Sequence, residues 1–260
     1  MYEFHKNVER YHEIQVLNSR DYVIPFIEKI RPVGPELCVL EIGCAEGGVL
    51  KAFLERGCEG YGIELEPGRL ENAKKFMSAY VASGKAHFLN INIYDFDPVA
   101  ENWPRFDVII LKDVIEHIPE QDKLLREIKK FLAKDGLVFI GFPPWHMPFG
   151  GHQQVCKSFL SKVPYLHLLP KPVYYGLLKY FGENVEAFAE VRDTRLTINQ
   201  FIKFSKNSGF RIAASDHYLV NPIYKYKFGV PAYRQFGIIN KIPFVRDFFT
   251  TCVYYLITPV

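Results

Sequence analysis

The sequence predicts a doubly wound α/β fold, and three observations carry that expectation. From Leu37 to Phe142, apolar runs of strand length alternate with segments of helical periodicity. The runs are apolar on both faces, as strands of a parallel sheet must be when helices cover each side. A glycine-rich turn, Gly43 to Gly48, joins the first run directly to the first helix of this alternation. In such sheets, ligands bind outside the carboxyl ends of the strands. The 260 residues are 48% hydrophobic and 23% charged, enough to bury one sizeable core, so a single domain over 1–260 is expected.

The elements follow in order. Residues 1–34 form an N-terminal helical segment, in which Val23, Phe26, Ile27 and Ile30 share a helix face before Arg31-Pro32 and Val33-Gly34-Pro35 end it. Residues 35–142 form the core. It begins with a strand over Leu37–Ile42, a helix holding Val49, Leu50, Phe53 and Leu54, and a strand over Gly60–Ile63. Pro67 opens a helix with Leu70, Ala73, Met77 and Tyr80 on one side. Strands over Ala86–Leu89 and Phe106–Leu111, a helix carrying Leu124, Leu125, Ile128, Phe131 and Leu132, and a strand over Leu137–Phe142 complete it.

After Phe142 the rhythm breaks. Residues 143–195, with an aromatic helix over Val173–Phe181, read as an insertion placed as a lid over the strand ends. In 196–260, Thr197 caps a helix, Phe210–Ala213 is a sixth strand, 216–247 is a second insertion, and Thr251–Ile257 is the terminal strand.

Composition narrows the classes. The formal net charge is only +3, yet from Phe201 to Arg246 Asp216 is the single acid among eight lysines and arginines. A solvated face accounts for this stretch, with docking of an anionic partner as the alternative. The five cysteines are odd in number and contain no CxxC pair, which argues against a disulfide framework. The first thirteen residues carry charges throughout and no apolar run approaches 18 residues, so a cytoplasmic protein without a membrane span is expected.

The glycine-rich turn also satisfies a relaxed dinucleotide fingerprint, Gly43-x-Ala45-x-x-Gly48 with Glu64 further on. Glu41, two residues before the first glycine, argues against a pyrophosphate, which a carboxylate there would repel. A cofactor with a cationic sulfonium and an ammonium group tolerates that acid.

Glu41-Ile42-Gly43-Cys44-Ala45-Glu46-Gly47 resembles motif I of class I S-adenosylmethionine-dependent methyltransferases, with Ala45 in place of the middle glycine. Gly62-Ile63-Glu64 resembles the end of that family's second strand, and Phe106 to Glu120 its ubiquinone-biosynthesis-type strand-and-xLEHI block. The resemblance covers about residues 35–145. It implies seven strands in the order 3-2-1-4-5-7-6, the last antiparallel. It also implies a cofactor site of Glu41, Gly43, Cys44, Ala45, Gly47, Glu64, Leu65, Asn92, Ile93, Lys112 and Asp113, with Glu64 on the ribose hydroxyls. Asn92 stands where an aspartate is usual, and Asp95 is a substitute. Structural readings stay open: Glu64 as a helix-capping acid, Asn92 as a turn residue, Gly47 and Gly48 as packing positions.

Methyl transfer from a sulfonium needs alignment more than acid–base chemistry. For a hydroxyl acceptor, His117, His146 and His152 are candidate bases. His146, His152, Cys156 and His167 match no structural zinc spacing, and no metal is expected. Trp145, Phe149, Phe159, Tyr165, Tyr174, Tyr175, Tyr180 and Phe181 are expected to wall a pocket for a small, partly apolar acceptor. Two other readings remain. One is an RNA- or protein-modifying methyltransferase docking through 201–246, against which stands the absence of an Asn/Asp-Pro-Pro-Tyr/Phe tetrapeptide after the fourth strand. The other is a non-catalytic cofactor binder or a nicotinamide-dependent Rossmann protein.

Overall fold

The computed structural model describes residues 7–260, so the first six residues of the N-terminal segment lie outside the described part. At the centre, β1 (Cys38–Ile42) pairs in parallel with β2 (Glu59–Ile63) on one side and β4 (Phe106–Lys112) on the other. Strand β3 (Ala86–Leu89) extends the sheet beyond β2, and β5 (Leu132–Phe142) extends it beyond β4. The terminal strand β8 (Cys252–Pro259) inserts antiparallel between β5 and β6 (Phe210–Val220). A two-residue strand, β7 (Tyr233–Arg234), lies outside β6 and brings the order to β3-β2-β1-β4-β5-β8-β6-β7. The sheet therefore has eight strands instead of the seven expected, the eighth falling inside the second insertion.

The two-residue period of a strand sends neighbouring side chains into opposite cores. Leu40, Ile109, Leu111, Val138, Ile140 and Tyr255 enter one cluster, and Val39, Val108, Ile110, Phe139 and Tyr254 the other. The helices Gln121–Lys129 and Ile198–Asn207 cover the first, and Gly48–Leu54 with Ser19–Ile27 covers the second. Thr197 accepts from the Gln200 amide and Gln200 answers the Thr197 amide, a capping box that fixes where the later helix starts.

Several boundaries differ from the sequence reading. The sixth strand continues through Val220, so the second insertion begins later than 216. Its extra residues follow β8 across the sheet, a partner no local pattern discloses. Leu132 starts β5, opposite Phe106, instead of ending a helix. The helix expected from Pro67 to Tyr80 breaks at Met77 into Pro67–Phe76 and Ser78–Ala82. The helix expected to carry Val23, Phe26, Ile27 and Ile30 is a π-turn, Ser19–Val23, and a short helix, Ile24–Ile27, that continue Val8–Asn18 and end before Ile30.

Candidate active site

The carboxyl ends of β1, β2 and β4 carry the site. The Gly43 and Cys44 amides both donate to the Ile63 carbonyl, at 2.8 and 3.0 Å, lacing the glycine turn to β2. Gly43 has φ +69°, and a Cβ built there would stand 2.7 Å from Val114 Cγ2, so only glycine fits. Ala45 takes φ +49°, a left-handed conformation that costs an alanine roughly 1 kcal/mol. It is held there by Glu64, whose Oε2 accepts from the Ala45 amide at 2.8 Å while Oε1 accepts from the Glu66 amide at 2.9 Å.

Glu41 is buried and accepts from the Leu50 amide at 3.0 Å, a capping bond that the Gly47 cap position cannot supply. Burial pushes its carboxyl up to about 8, against the opposing pulls of that N–H and of Lys112. Burial alone would lower the Lys112 amine, but its ion pair with Asp113, together with Tyr11, holds it above its ordinary value.

These residues line a cavity of about 640 Å³. The expected cofactor residues Glu41, Gly43, Cys44, Ala45, Glu64, Leu65, Asn92, Ile93, Lys112 and Asp113 all lie on its wall. Gly47 does not: a side chain there would strike Met77 and Ala73, which makes it a packing position. Asn92 also accepts from the Tyr94 amide at 3.1 Å, a local turn, and Asp95 is absent from the lining. Tyr11, His12 and Gln15 of the N-terminal helix complete the wall, and no sequence motif marks them. His12 is fastened to the turn by its ring nitrogen, 2.9 Å from the Glu46 carbonyl, and Arg69 grips the Glu46 carboxylate with two bonds of 2.9 Å.

A second cavity of about 400 Å³ shares Tyr11, Asp113 and His117 with the first. Pro143, Met147, Phe149 and His152 of the first insertion form one wall, and Ile223, Tyr224, Lys227 and Phe228 of the second form the other. Of the aromatics expected to enclose an acceptor, Phe149 alone lines this cavity. Tyr174 is buried with Cys156, Leu160, Leu166, Leu178 and Phe188 in a small core of the insertion's own, while Phe159 and Tyr180 are exposed. The segment is long enough to form a core of its own, which takes Tyr174, with Tyr175 and Phe181 packed against it, away from the sheet ends.

The histidines separate. His117 and His152 meet with ring centroids 4.9 Å apart and both line the second cavity. Burial, with His117 adding to it, pulls His152 down to about 4, leaving it neutral at pH 7. His146 lies elsewhere, stacked on Phe248 with its Nδ1 3.5 Å from Asp247, and lines neither cavity. His167 is engaged with the Trp145 carbonyl at 2.7 Å, and Cys156 sits in the small apolar core. Burial lowers the Lys227 amine to about 8, although Asp113 draws it upward. Glu116 lies at the floor, where burial and then Asp113 hold its carboxyl well above the usual range. No helix among the described residues is long and apolar enough to cross a membrane, and the five cysteines are free thiols.

Residues 14–153 match the methyltransferase-domain family. An uncharacterized methyltransferase of Mycobacterium sp. (strain KMS) is 29% identical over 126 residues, 47% of this chain and 45% of that one. The chain thus spans about half the length of the curated relatives it matches. The fold is similar to that of magnesium protoporphyrin IX methyltransferase from Synechocystis PCC 6803, solved with S-adenosylhomocysteine (TM-score 0.58, 14% identity, covering 100% of this chain and 89% of that one). It is also similar to a TehB-like S-adenosylmethionine-dependent methyltransferase from Corynebacterium glutamicum (TM-score 0.52, 13% identity, covering 94% and 88%). With the motif residues gathered on one cavity wall and the terminal strand antiparallel within the sheet, the chain belongs to the methyltransferase-domain family and has the fold of class I S-adenosylmethionine-dependent methyltransferases.

Proposed function

We propose that the protein transfers a methyl group from S-adenosylmethionine to a small, partly apolar acceptor held in the second cavity. The observation that carries this reading is the junction of the two cavities at Tyr11, Asp113 and His117. The larger cavity has the volume of an ordinary cofactor site, and carboxylates suited to hydroxyl and ammonium groups line it. The bound cofactor supplies a methyl group on a cationic sulfur that leaves readily. The chain supplies position. Glu64 and the glycine turn orient the cofactor, and the two insertions exclude water from the acceptor. His152, neutral at pH 7, and His117 face the acceptor space, where either ring lies in position to take a hydrogen bond from a hydroxyl acceptor. The partly buried Lys227 suits an acceptor that also carries an oxygen or an anionic group.

Docking of a polynucleotide through 201–246 is less well supported. Lys225 pairs with Asp21 and Arg234 with Asp216, and exposed Phe236, Ile238 and Phe244 interrupt the basic residues. Calorimetry with S-adenosylhomocysteine and NAD side by side tests the proposal. Saturable binding of the adenosyl compound, with none of the dinucleotide, is expected. The reverse result overturns it.

A further inference from the structure

Among the described residues, Glu116, His117 and His152 form a group of three metal-ligating side chains whose ligand atoms lie within 4.8 Å of one another. Glu116 is 4% exposed, and neither of its carboxylate oxygens has a hydrogen-bond partner. A carboxylate buried in that way is costly unless something else satisfies it. The nearby ammonium of Lys112 is engaged with Asp113. Glu116 is also fixed in place, since Thr194 Oγ1 donates to its backbone carbonyl. His152 reaches the group from the first insertion with φ +56°, the left-handed region, so its loop is bent to bring the ring here.

We infer that Glu116, His117 and His152 form a binding site for a divalent transition-metal ion at the floor of the acceptor cavity. Ligand bonds of about 2.1 Å place two ligand atoms roughly 3 to 4 Å apart, so small side-chain rotations close the group around an ion. Two imidazoles and one carboxylate select zinc or cobalt over magnesium, which prefers an all-oxygen shell. The three residues line the cavity, and an ion there keeps open positions toward it. An acceptor hydroxyl oxygen completes the shell and is stabilised in its deprotonated form, its proton passing to solvent, so that with the ion bound the two imidazoles serve as ligands and not as bases. The ion also ties the first insertion to the turn after β4, coupling its binding to closure over the acceptor. The role toward an acceptor rests on the proposed function, whereas occupancy of the site does not.

The test uses the full chain stripped with a chelator and titrated with Zn²⁺, Co²⁺ or Mg²⁺. Calorimetry and the Co²⁺ visible absorption provide the readouts. One Zn²⁺ or Co²⁺ per chain is expected, with affinity falling roughly tenfold or more in Glu116→Gln and in His152→Ala and unchanged in His146→Ala. Glu116→Gln keeps the side-chain shape and removes the carboxyl group that an ion would bind, and thermal melting of each variant confirms that a lost signal is not a lost fold. No saturable uptake by the wild type, equal affinity in all four proteins, or magnesium bound as tightly as zinc overturns the inference. S-adenosylhomocysteine binding is read on the same samples. If it persists without metal uptake, only the metal site falls, and if the wild type binds no adenosyl compound, the proposed function falls.

Discussion

Replacing Glu64 separates its two roles, because each of its oxygens has one backbone partner. Glu64→Ala leaves the Ala45 and Glu66 amides, now bonded at 2.8 and 2.9 Å, without acceptors beside the cavity. A hydrogen bond to a charged group contributes about 1.5 kcal/mol or more, so the two together contribute about 3 kcal/mol to stability. Glu64→Gln keeps one acceptor oxygen but turns an NH₂ toward the other amide, so it should lose about half of that. Ala45 then holds its left-handed conformation, φ +49°, without the bond that fastens it. Binding must rebuild the turn. Affinity for S-adenosylhomocysteine should fall by about 2 kcal/mol or more in Glu64→Ala, a factor of about 30. Urea denaturation read by circular dichroism measures the first quantity and titration calorimetry the second. If Glu64→Gln and Glu64→Ala both match the wild type in both measurements, neither the anchoring of the turn nor the contact with the cofactor is real.

Other perturbations follow from the same geometry. Ala45→Gly should stabilise the fold by about 0.5 kcal/mol, the relief of left-handed alanine exceeding the entropy cost of glycine, as a rise in the urea midpoint; a fall would mean that the Ala45 methyl is packed. Gly43→Val should abolish S-adenosylhomocysteine binding, since φ is +69° and Val114 Cγ2 already stands 2.7 Å from the new Cβ position; a folded variant that binds normally removes the turn from the site. Glu41 gives a pH signature. Its carboxyl is raised from 4.5 to about 8 in the fold, so the stability it contributes is fully present below about pH 4.5 and is lost as pH rises through about 8. The wild type should therefore lose stability relative to Glu41→Gln between pH 5 and pH 8, as read from urea midpoints; a difference independent of pH contradicts the raised value.

Local chemistry makes much of this protein legible in its sequence. Alternating apolar strands and amphipathic helices specify a doubly wound sheet because each strand must bury both faces, and Val39 with Leu40 or Val108 with Ile109 do so. The glycine turn and Glu64 were legible because positive φ and a carboxylate at a strand end are properties of single residues in short motifs. What depends on distant segments was not. Its partners settle how far β6 runs, because pairing with β8 extends from Phe210 to Tyr218 and pairing with β7 reaches Val220. The aromatics of 143–195 read as a pocket wall, yet only Phe149 of them lines the acceptor cavity, and Tyr174 took the interior of a separate core. The second wall of the acceptor cavity, Ile223 to Phe228, belongs to a segment without any motif. His152 meets Glu116 and His117 only because the first insertion folds back over the turn after β4. Side-chain type and periodicity are written along the chain. Which distant side chains share a cavity is decided by packing, because a contact between separate segments has no signature in either segment alone.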